Sequence, residues 1–429
     1  MRFSLALLAA LAVVRPAVAQ TPAQSAPAID FSGLMFGSYA VRGDSAAKAT
    51  LGGQSPNAFG VDRVYLTFRM PAGDNGAIRI TTDVFQNTTT ANNANAYYQG
   101  WTIRLKYAYF QYAGLKDALG SGSSLTGRVG MLHNVIIDQV ETFWPRYLQQ
   151  TGIERSGFFS SADVGIAGLL TLGNKWGEIY GTIANGPGYT SYERDRFKDF
   201  AVRASLTPFA QNGTNVYLKS LAVVPWYYRG SVGSTFAAGG AGQVGPGDNG
   251  AITEGLTRNR YGIFAGVKDR RLAVGIDYAQ RIDESEAGLN TTATPRVVTD
   301  STGQLIDGFI VARPLEWFNA ARRSPVSLVA RYDRFTPNNS PTSVNYAGST
   351  PYYEYTLFGA SYDVNQRITL TLDWQQNAPT GFPPATGTTV RPTPPRQSTV
   401  FLHWQATSAA RWCRSRVESP SARSAASRA

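Results

Sequence analysis

Cysteine is nearly absent from this chain: Cys413 stands alone among 429 residues. A disulfide framework and a cysteine-based metal site within one chain are therefore excluded. Histidine is almost as scarce, with only His133 and His403. Neither has a metal-ligand spacing, and neither has the adjacent Ser or Asp of a hydrolase motif, so no cofactor, metal or covalent chemistry is expected. Long apolar runs are missing too. Beyond the N-terminus no stretch approaches the length of a spanning helix, which excludes a helical membrane protein. A concentrated basic stripe is also lacking, so nucleic acid is not an expected partner.

What the chain does have is a rhythm. Segments of about ten residues, the usual reach of a membrane-spanning strand, are joined by connections that alternate between short and long. Short ones occupy 71–76, 173–177, 268–271 and 363–367; long polar ones occupy 42–58, 87–100, 134–161, 229–257, 281–303, 336–352 and 377–397. A soluble sandwich has no reason to sort its loops by length. A transmembrane antiparallel β-barrel of the outer membrane does, because its periplasmic turns are short and its outer loops long. Hydrophobic residues make up 43% of the chain, yet mean hydropathy is only -0.20. That combination suits a wall in which every second residue faces water.

The ends read differently from the middle. Residues 1–19 carry Arg2, an apolar run and Ala17-Val18-Ala19, the pattern of a cleaved signal peptide. Residues 20–28 form a Pro-, Ala- and Gln-rich lead-in, the barrel is expected over 29–406, and 407–429 is expected to be a disordered basic tail. The tail's lack of alternation suggests an extension past an older terminus, as from a frameshift. Together the signal peptide and tail hold more than half of the net charge of +11.

Sixteen candidate strands follow from alternation: 30–41, 61–70, 77–86, 101–112, 125–133, 162–172, 178–185, 199–207, 217–228, 260–268, 272–280, 305–312, 326–335, 353–362, 368–375 and 398–405. Parity assigns Val64, Leu66, Phe68 and Met70 to lipid, with Trp101, Ile103, Leu105 and Tyr107 on the same outer surface. Arg63, Arg69, Arg79, Asp83, Arg104, Lys106 and Arg128 then line a lumen. Barrels of about sixteen strands leave an aqueous channel, whereas about eight strands are filled by side chains. Rings of cations favour anions; alternatively these cations pair with carboxylates such as Asp83 and stiffen the wall. The 134–161 loop carries Asp138, Glu141, Arg146, Glu154 and Arg155 among aromatics. It either folds inward as a constriction or packs on the rim.

Arg128-Val-Gly-Met131, Asp163-Val-Gly-Ile-Ala-Gly168 and Ile179-Tyr-Gly-Thr-Ile-Ala-Asn-Gly186 resemble the phosphate-selective porin O and P family. The resemblance implies a sixteen-stranded diffusion channel for small solutes, often trimeric, whose third outer loop narrows the pore. Met131-Leu-His-Asn-Val-Ile136 stands where that family carries a Lys-Pro-Phe-Gly-like stretch, and the basic residues here are mainly arginine. The expected function is passive diffusion of small hydrophilic solutes, with a preference for anions. Its competitor is a surface-display or binding barrel, an adhesin or receptor acting through its outer loops. Expected partners are outer-membrane lipid, small anions or other small solutes, and further copies of the chain.

Overall fold

The computed structural model describes residues 29–87, 100–117, 119–211, 214–234, 252, 254–287, 297–319, 323–339, 350–381 and 396–411. The expected signal peptide and lead-in, and the part of the expected tail beyond Arg411, lie outside those residues.

Sixteen antiparallel strands form one closed barrel. They are β1 (Asp30–Arg42), β2 (Asn57–Pro71), β3 (Gly76–Asn87), β4 (Gly100–Lys116), β5 (Ser124–His133), β6 (Ala162–Leu172), β7 (Gly177–Ala184) and β8 (Asp199–Leu206) in the first half. The second half holds β9 (Ala222–Gly233), β10 (Gly255–Lys268), β11 (Leu272–Ala287), β12 (Val297–Ala312), β13 (Val326–Thr336), β14 (Tyr352–Asp363), β15 (Ile368–Thr380) and β16 (Gln397–Arg411). Each strand pairs with its chain neighbours, and β1 closes on β16. Closure leaves no sheet edge, so the ladder hydrogen bonds are made within the wall. Among the described residues no helix is long and apolar enough to cross a membrane; the strands do the crossing.

Burial is inverted relative to a soluble protein. On β15, Ile368, Leu370 and Leu372 are exposed, whereas Thr371, Asp373 and Gln375 are buried. Apolar side chains such as Ile103, Ile166, Ile276 and Phe358 face outward all around the wall. That arrangement is favourable only if hydrocarbon covers the outside. The architecture is that of a bacterial outer-membrane barrel.

Three expectations change. Residues 217–221 do not begin a strand: Val216–Ser220 is a short helix on the periplasmic side, capped by the Asn215 side chain, which accepts from Leu218 N at 3.0 Å. The poor alternation of that stretch has this cause. Residues 281–303 are mostly not loop, since β11 and β12 stay paired out to Ala287↔Val297. The last strand does not stop at Ala406: Thr407 to Arg411 continue it, paired with Leu34 to Asp30 of β1.

Parity also breaks within β4. Thr81 pairs with Tyr107 while Thr82 pairs with Leu105, which leaves Lys106 as an extra residue in β4. A bulge of one residue swaps the faces beyond it. Tyr107, expected toward lipid, therefore points into the lumen and is 5% exposed.

Candidate pore and constriction

The loop of residues 134–161, hereafter L3, folds into the barrel. Its entry is set by Asn134, whose Oδ1 accepts from Ile136 N at 2.9 Å and turns the chain inward. A helical turn follows at Ile137–Glu141 and another at Gly152–Arg155. The second is started by Thr151, whose hydroxyl accepts from Glu154 N, as in a capping box. Both pieces are far too short to persist alone, so packing must hold them.

The packing is extensive. Ile136, Ile137, Ile153 and Phe158 are fully buried. Phe143 meets Phe264 of β10 and Trp144 meets Phe309 of β12, each with ring centroids 5.2 Å apart. Phe159 sits edge-on to Trp226 and Tyr228 of β9. Polar groups of the wall then satisfy the loop's backbone. Arg203 donates to the Val135 carbonyl, Arg260 to the Phe158 carbonyl and Lys268 to the Thr142 carbonyl. Arg331 donates to the Gln150 carbonyl at 2.6 Å, and Gln375 to the Leu148 carbonyl at 3.2 Å. Tyr147 shares a 2.7 Å hydrogen bond with Thr371 of β15. Buried carbonyls without such donors would be costly. L3 thus lines the barrel from β8 to β15 and leaves open the side formed by β1 to β4 and β16.

That open side contains two cavities, of about 640 and 350 Å³, which share Arg146 and Tyr147 on their L3 wall. The larger is bounded by Tyr65, Arg79, Lys106 and Tyr107 on the strands, and by Asp138, Glu141 and Arg146 on the loop. Arg146 is held by Glu141 and Glu154. Burial alone would lower its pKa, but these two carboxylates push it well above the usual range. Burial raises Asp138 and Glu141 above ordinary carboxyls, opposed by Lys106 and Arg79 at Asp138 and by Arg146 and Lys106 at Glu141. Glu154 is also penalised by burial, yet its contact with Arg146 brings it below the usual value.

The wall cations divide into two kinds. Arg104 and Arg63 lie 3.0 and 3.8 Å from Asp83, which points inward but is completely covered. Tyr189 adds a hydrogen bond to the same carboxylate at 3.2 Å. By contrast, Arg79 and Lys106 have no carboxylate within salt-bridge distance among the described residues. Arg79 lies over the Tyr107 ring and donates toward His133 Nε2 at 2.8 Å. Lys106 lies over Tyr65 and Tyr107. Arg128 rests between the rings of Tyr109 and Tyr180, and Arg69 is exposed near the periplasmic end of β2. The loop residues divide as well. Asp138, Glu141 and Arg146 face the gap, Glu154 supports Arg146, and Arg155 turns to the opposite wall, over Tyr355 and 3.8 Å from Asp333.

His133 and His403 both face inward, beside Asp138 and Asp373 respectively, each at 3.2 Å. Among the described residues no group of three or more His, Cys, Asp or Glu is arranged to hold a metal ion. Sequence parity missed the lumen residues of β8 to β13, among them Arg203, Arg260 and Arg331. The alternation of Val329, Arg331 and Asp333 against Leu328, Ala330 and Tyr332 carries the signal that would have found the last of these.

No family model matches the chain, and no curated protein matches it. Solved structures do. An anion-selective porin from Comamonas acidovorans aligns with a TM-score of 0.53 at 9% identity, over 89% of this chain and 99% of that one. Salmonella typhi OmpF, in complex with daunomycin, aligns at 0.52 and 11% identity, covering 88% and 97%. The outer membrane channel DcaP of Acinetobacter baumannii aligns at 0.52 and 11%, covering 88% and 96%. At these identities the shared property is the fold: a sixteen-strand porin-type barrel.

Proposed function

We propose that the protein is an outer-membrane porin that lets small hydrophilic solutes diffuse passively, with a preference for anions and no covalent step. The observation that carries this reading is L3 inside the barrel, leaving a gap between Arg79 and Lys106 on one side and Arg146 on the other. A surface-display barrel has no need to place an outer loop at its own waist. Cations without carboxylate partners keep more of their field than paired ones, and cation rings favour anions. The sequence resemblance to phosphate-selective porins makes inorganic phosphate the first oxyanion to try. Association as a trimer belongs to the same reading, supported by the trimer form recorded for Vibrio cholerae OmpT, whose structure aligns with a TM-score of 0.51.

Purified protein in a planar bilayer should give stepwise currents, and a salt gradient should give a reversal potential of anionic sign. Phosphate added to a chloride bath should change the current. Electrical silence would end the porin reading and leave display or binding through the outer loops. A cationic sign would refute the selectivity while keeping the pore.

A further inference from the structure

Behind L3, three aspartates lie side by side on adjacent strands. Asp277 of β11 is directly opposite Asp307 of β12, which is directly opposite Asp333 of β13. All three face inward and are at most 3% exposed. Directly opposed residues have Cβ atoms roughly 4.5–5.5 Å apart, so the carboxyl groups are neighbours. Asp333 is neutralised by Arg331, which donates to both of its oxygens at 2.7 and 2.8 Å. Asp277 has no hydrogen-bond partner on either oxygen, and Asp307 has none on Oδ2, among the described residues.

L3 packs against Asp307 of this pair. Gly152, first residue of the Gly152–Arg155 turn, rests against Asp307 so closely that a Cβ there would come within 1.7 Å of Oδ2. The charged and titratable groups around the pair are Asp333 and Arg331 from β13, Tyr355 from β14 and Arg155 from L3. Arg331 is committed to Asp333, and Arg155 lies over Tyr355. Two ionised carboxylates packed together away from water would repel strongly, because neither solvent nor a free cation screens them. Two carboxyls that share one proton would not.

We propose that Asp277 and Asp307 are positioning residues for the constriction, holding L3 against the wall as a pair that shares a proton and releasing it when that proton is lost. The inference rests on L3 being the constriction, and it adds that the docked loop carries one proton more than the undocked one. Docking then weakens as pH rises, by up to about tenfold in the docked-to-undocked ratio per pH unit over the range in which the undocked pair has lost the proton and the docked pair still holds it. The pore should have an alkaline limit that its mouth residues do not set.

Conductance of the full chain in planar bilayers between neutral pH and about pH 10 reads this out. The wild type should change its unitary current and become noisier at the alkaline end, reversibly. D277N/D307N keeps the shape and removes the charge, so its current should stay constant over the same range. Heat-modifiable migration on a gel checks that the variant is folded. Should the double variant not assemble, D277N and D307N separately carry the test, each expected to extend the alkaline limit. Loop position is read independently of conduction by spin labels at Gln149→Cys and Thr380→Cys in a Cys413→Ser background, whose distance should broaden only at alkaline pH. A silent protein whose loop distance still responds would refute the porin reading and keep this one. A conducting protein with a pH-independent current and loop distance would overturn the proposal. So would an alkaline limit unchanged by the Asn variants, or a loop released by chelator at neutral pH, which would make the neutralising group a bound cation.

Discussion

Tyr107 of β4 donates its hydroxyl to Asp138 of L3 at 3.1 Å, and it can do so only because the extra residue Lys106 turns it inward. One bulge thus gives the gap beside L3 a cation and gives L3 a tether. His133 Nε2 reaches the same carboxylate at 3.2 Å while also facing Arg79. A single ring nitrogen cannot donate to Asp138 and accept from Arg79 at once, so the tyrosine bond is the unambiguous link. Tyr107→Phe removes it at a cost of about 1 kcal/mol. The barrel should assemble normally, with more frequent brief current fluctuations in single-channel records. Records indistinguishable from wild type would show that the apolar contacts of L3 hold the loop unaided.

Selectivity should depend on which cations are changed rather than on how many. Arg79→Gln with Lys106→Gln removes two gap-lining cations that have no carboxylate within salt-bridge distance among the described residues, and the reversal potential in a salt gradient should move toward zero. Arg63→Gln with Arg104→Gln removes the partners of Asp83, leaving a buried charge uncompensated. That pair should lower thermal stability by several kcal/mol, on the order of 3–5, and should shift selectivity less. An equal shift from both pairs would mean that total lumen charge governs permeation.

Much of the wall was legible because alternation is imposed by the two solvents on either side of it. All sixteen segments exist, and β6 falls on residues 162–172 as expected. The errors have local causes. Lys106 shifted parity, which no pattern of apolar residues around it announces. Val216–Ser220 is helical where a strand was expected, because Asn215 caps it. The arginines expected to act alike do not, since Asp83 lies within reach of Arg63 and Arg104 only across strands. The sequence leaves the position of L3 open between rim and lumen, because Phe143 and Trp144 demand burial without saying against what. Their partners Phe264 and Phe309 lie more than a hundred residues away in the chain.

Acidification should strengthen anion preference earlier than exposed carboxyls would allow. Burial raises Asp138 and Glu141, so both take up protons at higher pH than an ordinary carboxyl. Each proton removes a negative charge from a gap that Arg79, Lys106 and Arg146 also line. Anion preference should therefore rise as pH falls toward the usual carboxyl range, beginning above it. D138N/E141Q should show the acidic value at every pH in that window. A wild-type reversal potential that is flat there would place the two carboxyls outside the path of the ions.

The end of the barrel is set by pairing, and the pairing runs past the point where alternation fades. Thr407 to Arg411 bind the first residues of β1, from Leu34 to Asp30, and Asp30 also pairs with Arg69 of β2. A chain stopped after Ala406 would strip one neighbour from the start of β1 and reopen part of the seam. Unpaired backbone groups at a seam that meets lipid cost several kcal/mol each. Such a truncation, even with a terminal Phe added, should assemble poorly and lose its heat-modifiable band. A chain stopped after Arg411 keeps every pair described here and should assemble like the full chain. Equal assembly of both truncations would show that the last five pairs add nothing to closure, placing the functional end of the barrel at Ala406. Failure of both would assign residues 412–429 a part in assembly.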